Sequence, residues 1–98
     1  MNYNEFIVQY SLGTLSFGRL KKLAYSTDDE RILKILSENN DWMVRYNVTL
    51  NPKSPKKIIY NLCNDNDWWV SSTAFRMKRI YISVPYAPLL VRETGRST

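Results

Sequence analysis

The chain has no histidine and a single cysteine, Cys63. Without histidine it lacks the commonest general acid–base and the side chain that changes charge near neutral pH. One cysteine excludes an internal disulfide and points to a reducing compartment. The three glycines form no phosphate-cradling loop, and the acids are scattered over expected helix ends rather than set at metal-ligand spacing. No apolar run approaches the roughly 20 residues that a bilayer span needs. The start is no secretion signal either: residues 1–5 carry no basic side chain, and the run Phe6-Ile7-Val8 stops at Gln9. These absences lead to the expectation of a cytoplasmic protein that is not an enzyme, with no cofactor, no metal and no membrane contact.

What is present is the composition of an ordered domain, 44% hydrophobic and 13% aromatic. Ninety-eight residues make one domain, 1–98, with little core to spare. The net charge of +5 is uneven: residues 1–41 carry −1 and residues 42–98 carry +6. No acid occurs between Trp42 and Asn64, nor between Trp68 and Arg92.

The chain repeats itself at a shift of 26 residues. Asp28–Val48 lies over Ser54–Ala74 with six identities in 21 positions, and Asn-Asp-Trp-x-Val stands intact in both copies. Ile32, Leu36, Trp42 and Val44 fall on Ile58, Leu62, Trp68 and Val70. A third copy, alike only in apolar character, lies upstream: Phe6, Ile7, Tyr10 and Phe17 fall on Ile32, Leu33, Leu36 and Met43. Atypical end units are normal in repeat proteins, because an end unit has one neighbour.

Each unit reads as two short helices. Ile58, Ile59, Leu62 and Cys63 form one apolar stripe, and Val70, Thr73, Ala74 and Met77 form another. Thr27 or Asp28, Asp41, Ser54 and Asp67 are the expected N-caps, with Pro55 at a first helical position. Pro52 stops the helix that starts after Asp41. The units therefore span about 4–26, 28–51 and 54–79. Beyond Arg79, the β-branched run Ile80-Tyr81-Ile82 followed by Pro85 and Pro88 reads as an extended arm, 80–98, placing Tyr81, Tyr86 or Leu89 on the last unit. A lone pair of amphipathic helices cannot bury its own face, so the units must stack.

Asp41, Val44-Arg45, Val48, Asn51-Pro52-Lys53-Ser54-Pro55, Ile59, Leu62 and Asp65 together resemble the leucine-rich repeat variant, a relative of HEAT repeats with a D-x-x-V-R-x-x-V-A-x-N-P-x-(S/T)-P pattern. Thr49 stands where that pattern has alanine, Ser71 replaces the second arginine, and no Asn-Pro follows Ala74. The resemblance implies an all-α fold, a short right-handed α-solenoid of about three two-helix HEAT-like repeats with a concave side. One relative holds an iron–sulfur cluster on a cysteine-rich segment, which Cys63 alone does not supply. The fold itself fixes no activity.

Candidate functional residues are then surface residues. Trp42 and Trp68 are expected as core residues between units, and Trp69 as the ring that leans outward, a partner anchor together with Tyr46. The implied role of Arg45 is to bond a loop acid of a neighbouring unit, Asp41, Asp65 or Asp67, with partner contact as the alternative. Lys53, Lys56 and Lys57 near one helix start, with Arg76, Lys78 and Arg79 near one helix end, make the basic half. Asp41 and Asp67 recur as caps rather than as paired catalytic carboxylates. The leading expectation is a protein-binding module working through its second helices. The alternatives are phosphate-backbone binding by the basic half, or a small inhibitor of the phage type.

Overall fold

The computed structural model describes the backbone of residues 1–83 and the side chains through Ile80. Among these residues six helices follow in order: α1 (Tyr3–Leu12), α2 (Phe17–Ser26), α3 (Glu30–Leu36), α4 (Trp42–Leu50), α5 (Lys56–Leu62) and α6 (Trp68–Ser83). There is no strand among the described residues.

Local chemistry sets the helix ends. Asn2 and Glu5 form a reciprocal capping box on α1, which closes on Gly13 in the left-handed conformation at φ 71°. Asp41 accepts from the Met43 N–H at 2.8 Å, and Asp67 accepts from the Trp69 N–H at 2.9 Å. One turn earlier the same register recurs: Asn39 accepts from the Asp41 N–H, and Asp65 accepts from the Asp67 N–H. The 26-residue repeat is thus also a repeat of hydrogen bonds. Two expected caps are corrected. Asp29, rather than Thr27 or Asp28, caps α3, while the Thr27 hydroxyl accepts from the Asp29 N–H. Pro55, rather than Ser54, takes the cap position of α5, and it offers no side-chain hydrogen bond. Ser54 is instead buried, donating its hydroxyl to the Val48 carbonyl at 2.6 Å.

The core is one continuous cluster. Phe6 from α1, Ile32, Leu33 and Leu36 from α3, and Ile58, Ile59 and Leu62 from α5 meet Ala24, Val44, Val48, Val70 and Ala74 from the even-numbered helices. The even-numbered helices pack on one another, α2 on α4 and α4 on α6, while α5 packs along α6 and α3 along α1, α2 and α4. The upstream copy contributes as its apolar character suggests: Phe6 is buried, and Ile7 and Tyr10 pack against the cluster. Phe17 is exposed, with the Lys21 ammonium 4.4 Å from its ring centre.

Polar groups fasten α2 to the chain following α4. Asn51 is buried and donates its amide to the carbonyls of Ala24 at 2.9 Å and Thr27 at 2.8 Å. Its own oxygen accepts from the Lys53 N–H, holding the turn through Pro52. The end of α6 departs from expectation. Residues 80–83 continue the helix rather than opening an extended arm, because nothing before Pro85 interrupts the hydrogen-bond ladder. The rest of the expected arm, with Tyr86 and Leu89, lies outside the described residues, as does the side chain of Tyr81.

Candidate functional site

The largest surprise is where the tryptophans point. Trp42 is 37% exposed, Trp68 67% and Trp69 54%, so the expectation that Trp42 and Trp68 are core residues is overturned. The reason is positional. Each is the first residue of its helix, directly after the capping aspartate, and Val44 and Val70 two residues later take the inward direction. Trp42 leans edge-on against Tyr46 with ring centres 6.0 Å apart, and Trp68 leans edge-on against Trp69 at 4.9 Å.

The nine residues singled out from the sequence separate into distinct places. Arg45 is structural. Its Nε and Nη2 donate to the two carboxylate oxygens of Asp65 at 2.8 and 3.1 Å, and its Nη1 donates to the carbonyls of Asn39 and Asn40. All three guanidinium nitrogens are used inside the protein. Tyr46 is half-buried on α4, packs in part against the core cluster, and shares its side of the helix with Met43 and Leu50. The 26-residue register carries that side of α6 to Trp69, Ser72 and Arg76, and Arg76 donates to the Thr73 hydroxyl. Tyr46, Trp69 and Arg76 therefore share the second-helix surface.

The remaining cations lie elsewhere. The Lys78 ammonium sits 5.1 Å from the Tyr60 ring centre and 5.5 Å from that of Phe75, between α5 and α6. Lys56 lies one turn before Tyr60 on the same side of α5, and Arg79 shares the outer side of α6 with Trp68 and Phe75. Lys57 instead lines an open groove of about 470 Å³ between α3 and α5, beside Ile35, Ile58 and Tyr3. The other cations of that groove are engaged: Arg31 with Asp29 at 3.0 Å and Lys34 with Glu38 at 2.7 Å. Lys53 is exposed in the turn after α4, and Lys53, Lys56 and Lys57 pair with no carboxylate among the described residues.

Asp29 and Cys63, near these surfaces, titrate away from their ordinary ranges. The side-chain hydrogen bond from Arg31 holds the Asp29 carboxyl below the usual carboxylate range. Burial pushes the Cys63 thiol up, and the charge of Lys78 opposes that only in part. A thiol shifted this way is a poor nucleophile. No group of three or more potential metal ligands converges among the described residues. No helix among them is long and apolar enough to cross a membrane.

Sequence reasoning missed Tyr60 and Phe75. Phe75 had a signal in the 26-residue register, where a large ring takes the place of the small Thr49; Thr49 is buried and Phe75 exposed. Comparison with family profiles, with characterised proteins and with solved structures gives no match to this chain.

Proposed function

We propose that this protein is a non-catalytic docking module, a short right-handed α-solenoid of about three HEAT-like units of the leucine-rich repeat variant kind. It docks a protein partner on the surface of its second helices, α2, α4 and α6. The observation that carries this reading is the placement of Trp69 with Tyr46 and Arg76 on that surface. A tryptophan left more than half exposed costs hydration free energy in the free protein and returns it when a partner covers it. The mixture of Trp, Tyr and Arg is the one in which binding hot spots concentrate. The solenoid reading is supported by the doubled hydrogen-bond register around Asp41 and Asp67 and by the packing of α2 on α4 and α4 on α6.

Lys53, Lys56 and Lys57, which pair with no carboxylate among the described residues, favour a second reading, binding to nucleic-acid phosphates. The two differ in the surface they use. Affinity capture from extract with and without nuclease, using the native chain, Trp69→Ala and Lys56→Glu/Lys57→Glu, separates them. Protein docking requires a captured partner that survives nuclease, is lost with Trp69→Ala and is kept with Lys56→Glu/Lys57→Glu. Loss on nuclease treatment, with loss in the lysine variant, makes nucleic acid the partner. In that case affinity falls with salt by a log–log slope of about −0.9 per phosphate contact on duplex DNA.

A further inference from the structure

We propose that the groove between α3 and α5 binds a short acidic segment of a partner protein, about three residues in which a carboxylate stands beside aliphatic side chains. The groove exists because the helix layers pack unequally. α2 packs on α4 and α4 on α6, while no comparable packing joins α3 to α5, and α4 packs on both. Ile58 on α5 is therefore the most open member of the buried core, 5% exposed, and Ile35 on α3 is only half-buried. With Tyr3 from α1 they give the groove apolar walls and a volume of about 470 Å³, within the range of sites for small ligands. This side of the fold belongs to the first helices, and no residue that lines the groove lies on α2, α4 or α6.

Its charges select the occupant. Arg31 is taken by Asp29 at 3.0 Å and lies over the Tyr3 ring, 4.2 Å from its centre, and Lys34 is taken by Glu38 at 2.7 Å. Lys57 pairs with no carboxylate among the described residues, and the Asn61 side chain has no hydrogen bond among them. These two lie one turn apart on the wall formed by α5, so an ammonium and an amide can donate to one carboxylate. Glu30, on the α3 wall, has no cationic partner among the described residues. It repels a second acid there and disfavours a phosphate backbone, whose charges repeat along its length. Length sets the rest. α3 and α5 have seven residues each, about 10 Å of wall, which three extended residues match. A partner therefore enters with a short linear stretch, its acid on Lys57 and Asn61 and its aliphatic side chains on Ile35 and Ile58.

Labelled peptides test this on the full chain. The probes are fluorescein-tagged Glu-Leu-Leu, Leu-Glu-Leu and Leu-Leu-Glu, each between glycine–serine arms, with counterparts in which Gln replaces Glu or Ser replaces Leu. Fluorescence polarisation gives the affinity, and amide resonances of the protein give the place. The expected result is binding of at least one acidic peptide, with shifts at Ile35, Lys57, Ile58 and Asn61, weakened severalfold in its Gln and Ser counterparts. Lys57→Met, which keeps the stem and removes the charge, weakens binding severalfold, Asn61→Ala weakens it as well, and Trp69→Ala leaves it unchanged. All three are exposed positions, and circular dichroism follows the folding of each variant. If a variant unfolds, the comparison of Glu with Gln peptides on the native chain decides. No shift at those amides up to millimolar peptide, equal binding of the Gln counterparts, or undiminished binding by folded Lys57→Met overturns the proposal. Loss with Trp69→Ala also overturns it, since the peptide then sits on the second-helix surface. The probes are defined peptides, so failure here leaves the docking reading of α2, α4 and α6 to its own test.

Discussion

Arg45 on α4 grips Asp65, in the turn before α6, with two hydrogen bonds of 2.8 and 3.1 Å, and both side chains are largely withdrawn from water. The same arginine holds the carbonyls of Asn39 and Asn40, in the turn before its own helix. One side chain thus ties two successive turns of the repeat together.

Breaking that pair from one side strands a charge. Arg45→Ala is expected to cost roughly 3–5 kcal/mol, and Arg45→Met/Asp65→Asn less, since the second change removes the orphaned charge while its amide oxygen can still accept from the Asp67 N–H. Urea denaturation of the single and double variants measures this. A cost for Arg45→Ala below about 1 kcal/mol, as for an exposed pair, refutes the structural role.

Leu36 and Leu62 occupy matching positions and are both buried. Truncation of either to alanine is expected to cost about 2–5 kcal/mol. For a domain whose whole stability is of order 5–15 kcal/mol, either change lowers the urea midpoint strongly. An unmoved midpoint for Leu62→Ala would mean that α5 turns a different face inward.

Asn51 donates to the carbonyls of Ala24 and Thr27, so Asn51→Ala removes a donor from both, the first of them buried. The expected loss is about 1–3 kcal/mol. Asn51→Asp should destabilise more at neutral pH, because its carboxylate faces the oxygens of Ala24 and Thr27. Thermal melts of the two variants, ranked against the native chain, give the comparison. Equal stability of all three would contradict the fastening of α2.

The Asp29 carboxyl is held below its usual range by the hydrogen bond from Arg31. A depressed folded pKa stabilises the fold above the unfolded pKa, and that contribution disappears as pH falls through the folded value. Acid titration of stability should therefore be shallower in Asp29→Asn or Arg31→Gln than in the native chain. An identical acid profile in Arg31→Gln removes the pair from the balance.

Much of this fold is legible in one dimension. Helix starts at Asp41 and Asp67, the stop before Pro52, and the buried stripes through Ile58–Leu62 and Val70–Met77 all follow from spacings of two to four residues. The acid that Arg45 meets, in contrast, lies 20 residues away and is expected only from the resemblance to the leucine-rich repeat variant. The starts, the stop and the stripes depend on the geometry of a single helical turn, which a sequence carries directly. Those stripes needed no knowledge of neighbours. Other features did. Trp42 and Trp68 have the size of core residues, yet their place at the helix start turns them outward, and only the packing of the following valines decides that. Ser54 looked like a cap and became a buried donor, because the turn after Asn51 brings it under the Val48 carbonyl. The separation of Lys57, in the groove between α3 and α5, from Trp69 is likewise tertiary. Burial is a property of what lies opposite a side chain, and the identity of that neighbour is settled only when α2, α4 and α6 come together.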